Sequence, residues 1–357
     1  MKRKVLFLTG ALKHYRIPIL NIIAADDSIE LTVAHSGKKM DDGTLLFKEL
    51  IIKEKKIGPF TFHDKEFLKF CNSFGVVVAM FYLQKLSFMK LLFSRKRSYK
   101  IIFWGIGVRA SQNSAFDSPT VLNKLRYYIA KKSDAMIFYT DYVAKKYKAQ
   151  GVSEDKIFVM NNTVRVSNTL TIPEEKSSIL FTGTLNKSKK IFSLLNAYNE
   201  ACKISKSVPV LEIVGSGADF EEVKTWIANS EIKDKIVLHG AIYNEQELEK
   251  IFKRSLACIS PGQAGLSVLT SFGHGVPFVT SENAITGGER LNIENNYNGY
   301  LFSNEKELID CIIETAENPE KYIQMGKNAK EFYETQRTPE IMAQGFIDAI
   351  DFITKKN

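Results

Sequence analysis

The sequence contains few of the residues on which disulfide frameworks and metal centres depend. Its 357 residues include 4 cysteines, 5 histidines and 2 tryptophans. The cysteines lack the paired or metal-ligand spacing of such sites, and we expect them to be reduced residues of the packed interior: Cys71, Cys202, Cys258 and Cys311. Aspartate pairs with metal-binding spacing are missing as well. We therefore expect no required metal ion.

Long apolar runs are also missing. The longest, Phe74 to Leu83, has about half of the roughly 20 apolar residues that a membrane span needs, and it predicts a buried strand. Val5 to Thr9 follows a charged start but is too short for the core of a signal peptide. With 45% hydrophobic and 25% charged residues, the chain has the composition of a globular, cytoplasmic protein with two domains.

Charge is divided unevenly along the chain. Residues 1–165 hold 29 Lys and Arg against 14 Asp and Glu, whereas residues 166–357 hold 20 against 26. A basic half suits nucleic acid, anionic lipid or a phosphorylated substrate. No nucleic-acid-binding motif accompanies the charge, so we expect no nucleic acid partner.

The densest basic cluster, Lys90 to Lys100, places Leu91, Leu92 and Phe93 beside Arg95, Lys96 and Arg97. This mixture is typical of segments that bind membrane surfaces. It predicts peripheral binding to an anionic membrane, on the cytoplasmic face of the plasma membrane. The alternative is a solvated helix end whose Leu-Leu-Phe is buried.

Two series of apolar strands alternate with helical segments. We predict the strands at Val5–Thr9, Leu31–Ala34, Val76–Tyr82, Ile101–Trp104, Ala135–Tyr139 and Ile157–Met160, then Ser178–Thr182, Val210–Val214, Ile236–Leu238, Leu256–Ser260 and Phe278–Thr280. The pattern predicts an α/β protein with two Rossmann-like, doubly wound parallel-sheet domains.

The domain boundary is predicted within Arg165 to Glu175, which lacks periodicity and contains a proline. This gives an N-terminal domain over residues 1–165 and a C-terminal domain over residues 166–340. For the C-terminal helix over residues 341–357, one candidate position is packed on the N-terminal domain. We expect ligands in a central crevice that the two domains face, because strand carboxyl ends form such crevices. The candidate loops are Gly10–Arg16, Trp104–Ser111, Gly183–Lys190, Gly215–Phe220, His239–Asn244 and Ser260–Glu282.

The last of these loops has the features of an anion site. A strand ends at Pro261-Gly262, and helical spacing begins at Leu266. Gly262 and Gly265 let the backbone approach a ligand, and the amides of Gly265, Leu266 and Ser267 open the helix. An ordinary strand-turn-helix crossover is the alternative.

Two familiar nucleotide signatures are incomplete. Lys189 and Lys190 precede a helix but lack the spacing of the phosphate-binding loop of NTPases. Lys189 is a candidate for a diphosphate, and a solvated lysine at a helix start is the alternative. Gly215 opens "GSGADF", which lacks the third glycine of the dinucleotide fingerprint and disfavours NAD binding.

The ordered series of motifs resembles glycosyltransferase family 4, the retaining GT-B enzymes. The segments that resemble the donor half of the family are "FTGTLNKSKKIFSLLNAY", "LEIVGSG", "KIVLHGAIYNEQEL", "SPGQAGLSVLTSFGHGVPFVT" and "ENNYNGYLF". The segments that resemble its acceptor half are "HYRIPILN", "FWGIG", "KKSDAMIFYT" and "NNTV". By this resemblance, the N-terminal domain would bind the acceptor and the C-terminal domain the nucleotide-sugar. The resemblance covers nearly the whole chain. It implies that Lys189 binds the donor diphosphate, that Gly10 contacts the sugar-phosphate and that Ile242-Tyr243 holds the nucleotide base.

Further candidates follow from the same resemblance. Those on the donor side are Gly183, Thr184, Lys190, Gly215, Gly262, Gln263, Gly265, Leu266, Ser267 and Thr270. Those on the acceptor side are His14, Tyr15, Arg16, Trp104, Gly107 and Arg109.

The chain departs from the family pattern at three charged positions. Thr184 replaces an arginine, and Gly262 and Thr270 replace a pair of glutamates that meet the donor sugar and ribose. Gln263 and Thr270 would supply neutral hydrogen bonds instead.

The resemblance implies transfer of a sugar, with retention at the anomeric carbon, from a nucleotide diphosphate-sugar to a hydroxyl of a glycan or polyprenyl-linked acceptor. A UDP-sugar is favoured over a GDP-sugar, and no other cofactor is required. The leaving phosphate takes the acceptor proton. The missing charges keep a second interpretation open, a non-catalytic GT-B subunit that binds the donor. A GT-B sugar epimerase is a third.

Overall fold

The computed structural model describes residues 2–40, 43–110, 116–169 and 175–355. The chain forms two compact units. The first comprises Met1–Arg109, Asp117–Val164 and Thr338–Asn357, and the second comprises Ala110–Phe116 and Arg165–Arg337. The predicted boundary segment includes residues 170–174, which lie outside the described residues.

The first unit contains nine described strands. They are β1 (Arg3–Leu8), β2 (Ile29–His35), β3 (Lys48–Ile51), β4 (Lys55–Ile57), β5 (Phe60–Phe62), β6 (Val76–Met80), β7 (Lys100–Gly105), β8 (Ala135–Phe138) and β9 (Ile157–Val159). Seven form a parallel sheet in the order β3-β2-β1-β6-β7-β8-β9, and β4 and β5 form an antiparallel hairpin. Val5 to Leu8 and Val76 to Ala79 are almost wholly buried, as expected for strands covered on both faces.

Six described helices belong to the first unit: α1 (Ile17–Ala24), α2 (Glu66–Cys71), α3 (Leu86–Phe93), α4 (Leu122–Lys132), α5 (Asp141–Ala149) and α12 (Pro339–Lys355). Pro18 lies in the first turn of α1, where its missing amide hydrogen costs no hydrogen bond. The last helix, α12, packs on α1, β8 and β9 through apolar residues such as Phe346 and Ile350. One core therefore joins residues from both ends of the chain.

The second unit has a six-stranded parallel sheet. Its strands are β10 (Ser178–Thr182), β11 (Val210–Val214), β12 (Ile236–Gly240), β13 (Ser255–Ile259), β14 (Phe278–Ser281) and β15 (Gly299–Phe302). Their order is β12-β11-β10-β13-β14-β15. The helices are α6 (Ile191–Ile204), α7 (Phe220–Ala228), α8 (Glu245–Lys253), α9 (Ser267–Gly273), α10 (Glu305–Glu317) and α11 (Pro319–Gln336). Asn244 and Asn304 cap α8 and α10 by accepting amide hydrogen bonds.

The predicted parallel-sheet class is confirmed, and every predicted strand exists. Three regions were missed. Strand β3 is a half-exposed sheet edge, and the β4–β5 hairpin is mostly exposed, so neither carries an apolar run. Strand β15 has only four residues, begins at Gly299 and follows a turn at residues 296–298. Among the described residues, every helix falls short of the length and apolarity that a membrane span requires.

Candidate functional site

Each of the two parallel sheets has one switch point, at which the order of its strands reverses. The candidate loops Gly10–Arg16, Gly183–Lys190 and Ser260–Glu282 follow strands at these switch points. In each sheet the strand order runs outwards from the first strand and then restarts on its other side, between β1 and β6 and between β10 and β13. Crevices at such switch points bind ligands in open α/β sheets. The loops after β10 and β13 contain Lys189 and Gly262, and the loop after β1 contains Gly10.

Glycines allow the loops of the second unit to approach one another closely. Gly215 has φ +152°, and a Cβ atom there would lie 1.9 Å from the Gly183 carbonyl oxygen. Gly183 itself has φ +144°. A side chain at position 215 would therefore push the loops after β10 and β11 apart.

Gly262 fills the same role between the loops after β10 and β13. Its Cβ would lie 2.2 Å from the Ser188 carbonyl oxygen, and its amide donates to the Lys189 carbonyl at 3.1 Å. This amide is committed to the fold. The glycine in place of a family glutamate thus lets the two loops touch at a point where a larger residue would not fit.

Lys189 is a buried cation at this contact. The side chain is 8% exposed, and its ammonium donates to the Gln263 carbonyl at 3.4 Å. Burial lowers the pKa of Lys189, and the nearby Cys258 thiol and Glu289 carboxylate partly oppose this effect. Lys190, by contrast, is exposed and has φ +51° immediately before α6. The interpretation of Lys189 as a solvated lysine is therefore wrong.

The helix that follows Gly265 begins one residue later than predicted. Helix α9 has seven residues and begins at Ser267, and Gly265 has no positive φ and open space around its Cβ position. The Thr270 hydroxyl donates its hydrogen to the Leu266 carbonyl at 3.1 Å. It can therefore accept a hydrogen bond from a ligand but not donate one. Within the described residues the buried Ser267 hydroxyl has no hydrogen-bond partner.

Glu289 is a carboxylate that the sequence interpretation overlooked. It is 7% exposed, and its Oε2 accepts from the Gly287 amide at 2.9 Å and the Thr286 hydroxyl at 3.3 Å. Glu289 is the first residue of the turn Glu289–Asn292, and this turn packs on α9, the helix that contains Thr270. The preceding backbone is tied to the β13 loop, because Ile285 bonds both Gly262 and Ala264 at 2.9 Å. Its sequence signal, a lone glutamate after two glycines, is weak.

The loop after β12 carries the residues expected at the nucleotide base. Tyr243 is 93% exposed, while Ile242 is half-buried. The end of β12 is held by His239, whose Nε2 lies 2.8 Å from the Glu212 carboxylate, and Glu212 also accepts from Arg254. The Tyr243 ring is thus an aromatic surface presented by a fixed strand end.

The loops of the first unit are organised by side chains. Gly10 lies against Lys85, whose Nζ would be 3.5 Å from a Cβ at position 10. Lys85 forms an ion pair with Glu54, and both side chains are largely buried. Burial alone would raise the pKa of Glu54, but hydrogen bonding and charge from Lys85 lower it below its ordinary value. Two groups of opposite charge therefore stand beside Gly10.

Two of the expected acceptor-side residues are part of the core. Trp104 is 0% exposed and packs between Phe7 and Phe346. Arg16 is 8% exposed, lies 4.5 Å over the Trp104 ring and donates to the Tyr139 hydroxyl at 2.6 Å. Trp104 cannot contact an acceptor, and that prediction is wrong. It supports the loop by holding the Arg16 guanidinium.

The other acceptor-side candidates differ in accessibility. Gly107 is buried with φ +76°, and a Cβ there would lie 2.7 Å from the Phe138 ring, so it serves packing rather than contact. His14 and Arg109 are exposed, and Tyr15 is half-buried. Ser111, the end of this predicted loop, lies outside the described residues.

His274 is the C-cap residue of α9, and its backbone amide donates to the Thr270 carbonyl at 3.2 Å. The ring stacks on Phe252 at 4.5 Å, and among the described residues its buried Nδ1 has no hydrogen-bond partner. Burial lowers the pKa of His274 to about 4. The neutral ring of His274 is therefore a packing group.

Comparisons with known proteins agree with this architecture. Residues 165–332 match the family model of glycosyl transferases group 1. The poly(glycerol-phosphate) alpha-glucosyltransferase of Bacillus subtilis (strain 168) is 24% identical over 216 residues, which cover 58% of this chain. The match spans 31% of that protein, so this chain corresponds to about a third of its length.

Solved structures resemble the whole chain. The structure of Anabaena HepE in complex with UDP has a TM-score of 0.71 at 12% identity, covering 98% of this chain and 100% of that one. S. aureus TarM, in a complex with Fondaparinux, alpha-GlcNAc-glycerol and UDP, has a TM-score of 0.69 at 12% identity with the same coverage. A glycosyltransferase from Rickettsia africae ESF-5 has a TM-score of 0.72 at 15% identity and full coverage of both chains. The chain therefore has the GT-B fold, and its residues 165–332 are similar to the group 1 glycosyl transferases.

Proposed function

We propose that the protein transfers a sugar from a nucleotide diphosphate-sugar to a hydroxyl group of a glycan or glycerol-phosphate polymer in cell-surface assembly. The observation that carries the proposal is the buried Lys189 ammonium at the switch point of the second sheet, within a segment that matches the glycosyl transferase family. An anionic diphosphate would complete the coordination of this cation.

Lys189 stabilises the negative charge that grows on the leaving diphosphate. Its ammonium is fixed by burial and by the Gln263 carbonyl, so little reorganisation is needed when the charge develops. The open space beside Gly265 leaves room for phosphate oxygens next to the first turn of α9. Transfer with retention follows if the same phosphate then takes the acceptor proton, and this step requires no protein nucleophile and no metal ion.

Glu289 replaces the missing glutamates as the carboxylate of the donor site. It lies on the turn that packs on α9, the helix that contains Thr270. A carboxylate fixed by Thr286 and Gly287 accepts hydrogen bonds from sugar or ribose hydroxyls. Tyr243 stacks on the nucleotide base, and we favour uracil over guanine because UDP is bound in the HepE and TarM structures.

The direct test is a panel of UDP-glucose, UDP-galactose, UDP-N-acetylglucosamine and GDP-mannose offered to the purified chain with a glycerol-phosphate oligomer. Mass spectrometry identifies the donor that loses its sugar, and NMR of the product reports the anomeric configuration. We expect one UDP-sugar to be consumed, with retention and in the presence of EDTA. Lys189→Ala should leave folding intact and abolish most of the turnover.

The same experiment separates the alternatives. Binding of a nucleotide sugar without loss of its sugar to any acceptor or water would indicate a non-catalytic subunit, which the absent arginine at Thr184 motivates. Interconversion of two nucleotide sugars would indicate an epimerase. Failure to bind any nucleotide in calorimetry would refute a donor site altogether.

A further inference from the structure

We infer that the first unit binds anionic lipid bilayers through one exposed surface, the α3–α4 face, which consists of Phe93, Val121, Leu122, Leu125 and Tyr128. This inference does not depend on the proposed reaction. It assigns the apolar part of the membrane contact to residues on two helices, beside the basic cluster after α3.

The face is apolar and solvent-exposed. Val121 is 87% exposed, Phe93 52%, Tyr128 51%, Leu122 46% and Leu125 45%. The Phe93 and Tyr128 rings stack with their centroids 6.2 Å apart, which joins the end of α3 to α4. Leu122, Leu125 and Tyr128 recur at a spacing of three along α4, so they share one side of the helix.

Cations surround this face, and acidic residues are missing from both segments. Leu86–Lys100 and Leu122–Lys132 together hold nine Lys or Arg residues and no Asp or Glu. The exposed cations are Lys90, Arg95, Lys96, Lys124, Lys131 and Lys132. Arg97 is excluded from this group because its guanidinium is paired with Asp134 at 2.9 Å.

The structure alters the membrane prediction made from the sequence. Leu91 and Leu92 are 2% and 7% exposed and belong to the interior, so of the three bulky residues in Lys90 to Lys100 only Phe93 can reach a bilayer. The other exposed apolar residues of the face, Leu122, Leu125 and Tyr128, belong to α4, and Val121 directly precedes it. The two helices are distant in the sequence, and only the fold brings them together.

A lipid bilayer fits this face better than a protein partner. Lysine is depleted in protein interfaces, whereas it is favoured at membrane surfaces, where its stem lies along apolar groups and its ammonium meets phosphate. Tyrosine is enriched at the same depth of the bilayer. Charge complementarity therefore selects an anionic membrane.

The position of α4 gives membrane binding a consequence for substrate access. Because α4 follows β7, its first residues lie at the carboxyl edge of the parallel sheet. The loop after β1, with Gly10, opens at the same edge. Docking of Val121 and Leu122 would bring this edge close to the lipid headgroups, where a lipid-linked acceptor is anchored.

The test is co-sedimentation of the full chain with phosphatidylcholine vesicles that contain or lack phosphatidylglycerol. Leu122→Ser combined with Leu125→Ser should weaken binding to the anionic vesicles about tenfold. Lys124→Ser, Lys131→Ser and Lys132→Ser should each weaken it about fivefold, and added salt should remove the difference. Leu46→Ser is the matched control, because Leu46 is a 65% exposed leucine of the same unit outside the face.

Three results would overturn the inference: equal binding to neutral and anionic vesicles, no binding to either, or an equal loss in the Leu46→Ser control. Analytical ultracentrifugation without lipid gives the remaining check. Self-association that Leu122→Ser with Leu125→Ser abolishes would overturn it too, by identifying the face as a contact between two copies of the chain. Calorimetric titration with UDP, run on every variant, distinguishes failure of this inference from failure of the proposed function.

Discussion

The two units build their candidate loops differently, although each places them at the switch point of a parallel sheet. In the second unit, Gly215 and Gly262 bring backbone against backbone, and a single buried cation, Lys189, stands at the contact. In the first unit, side chains hold each other: Lys85 pairs with Glu54, and Arg16 is enclosed by aromatic rings. The loops of the second unit are thus held by contacts between main chains, and those of the first unit by pairs of side chains.

The difference bears on which contacts between loops a sequence can reveal. Backbone approach requires glycine, and glycine spacing is visible in a sequence. A buried aromatic residue such as Trp104 looks the same in a sequence whether it packs or binds. Gly183, Gly215, Gly262 and Lys189 accordingly meet in the second unit. Trp104, Arg16 and Gly107 are core residues of the first unit.

The largest effect is expected at Lys189. Lys189→Ala should lower turnover by roughly 10² to 10³, the usual loss for one preorganised group at a developing anion. Because burial lowers the pKa of Lys189, affinity for UDP should also fall with rising pH earlier than for an ordinary lysine, as the ammonium loses its proton. Steady-state kinetics and calorimetry at several pH values measure both. A variant with half of the wild-type rate would contradict the assignment.

Gly215→Ala tests the close approach of main chains in the second unit. The added Cβ would lie 1.9 Å from a carbonyl oxygen at φ +152°, so we expect a loss of about 3 kcal/mol in unfolding free energy and of UDP binding. Gly75→Ala is the matched control, since Gly75 lies in the first unit without a positive φ and its Cβ would lie 3.9 Å from the nearest atom, the Lys4 carbonyl oxygen. Thermal unfolding and calorimetry on both variants decide the matter, and equal effects would remove the distinction.

His274 should make the stability of the second unit sensitive to acid. Its folded pKa of about 4 lies below the ordinary value of 6.5, so its neutral form is favoured in the fold. The resulting stability is complete above pH 6.5 and is lost as pH falls towards 4, by up to about 3 kcal/mol. Glu249 opposes the shift, and Lys330 and Lys253 add to it. Urea unfolding of His274→Phe between about pH 4 and 7 should show a flatter profile, and an unchanged profile would assign the acid sensitivity elsewhere.

Gly107→Ala provides the contrasting case in the first unit. The clash with the Phe138 ring at φ +76° should cost about 2 kcal/mol of unfolding free energy. Affinity for UDP should stay unchanged in calorimetry below the unfolding temperature, because this glycine serves packing. Lost UDP affinity in a folded variant would show that the first unit also shapes the nucleotide site.

The smallest effect is expected at Glu289. Glu289→Gln should weaken binding of the UDP-sugar about tenfold, since a charged acceptor is replaced by a neutral one. UDP alone should bind with a smaller change if the carboxylate meets the sugar. Glu282→Gln, an exposed glutamate just before this turn, is the control. Equal affinity of wild type and Glu289→Gln for every nucleotide sugar would exclude the carboxylate from the site.

Some of the fold could not be predicted from local sequence. Strands of the parallel sheets were found because Val76 to Ala79 and similar runs are apolar on both faces. The β4–β5 hairpin was missed because its residues are mostly exposed. Glu289 was missed for another reason: its relation to Lys189 depends on the pairing of Ile285 with the β13 loop, a contact that only the folded chain creates.

The packing of α12 also bears on the order in which the protein is made. The ribosome releases residues 165–337 before it releases α12, so the second unit can fold while the first still lacks the helix that covers α1, β8 and β9. Until then, Phe7 lacks the Phe346 ring on which it packs in the finished fold, and this apolar surface faces solvent on the nascent chain.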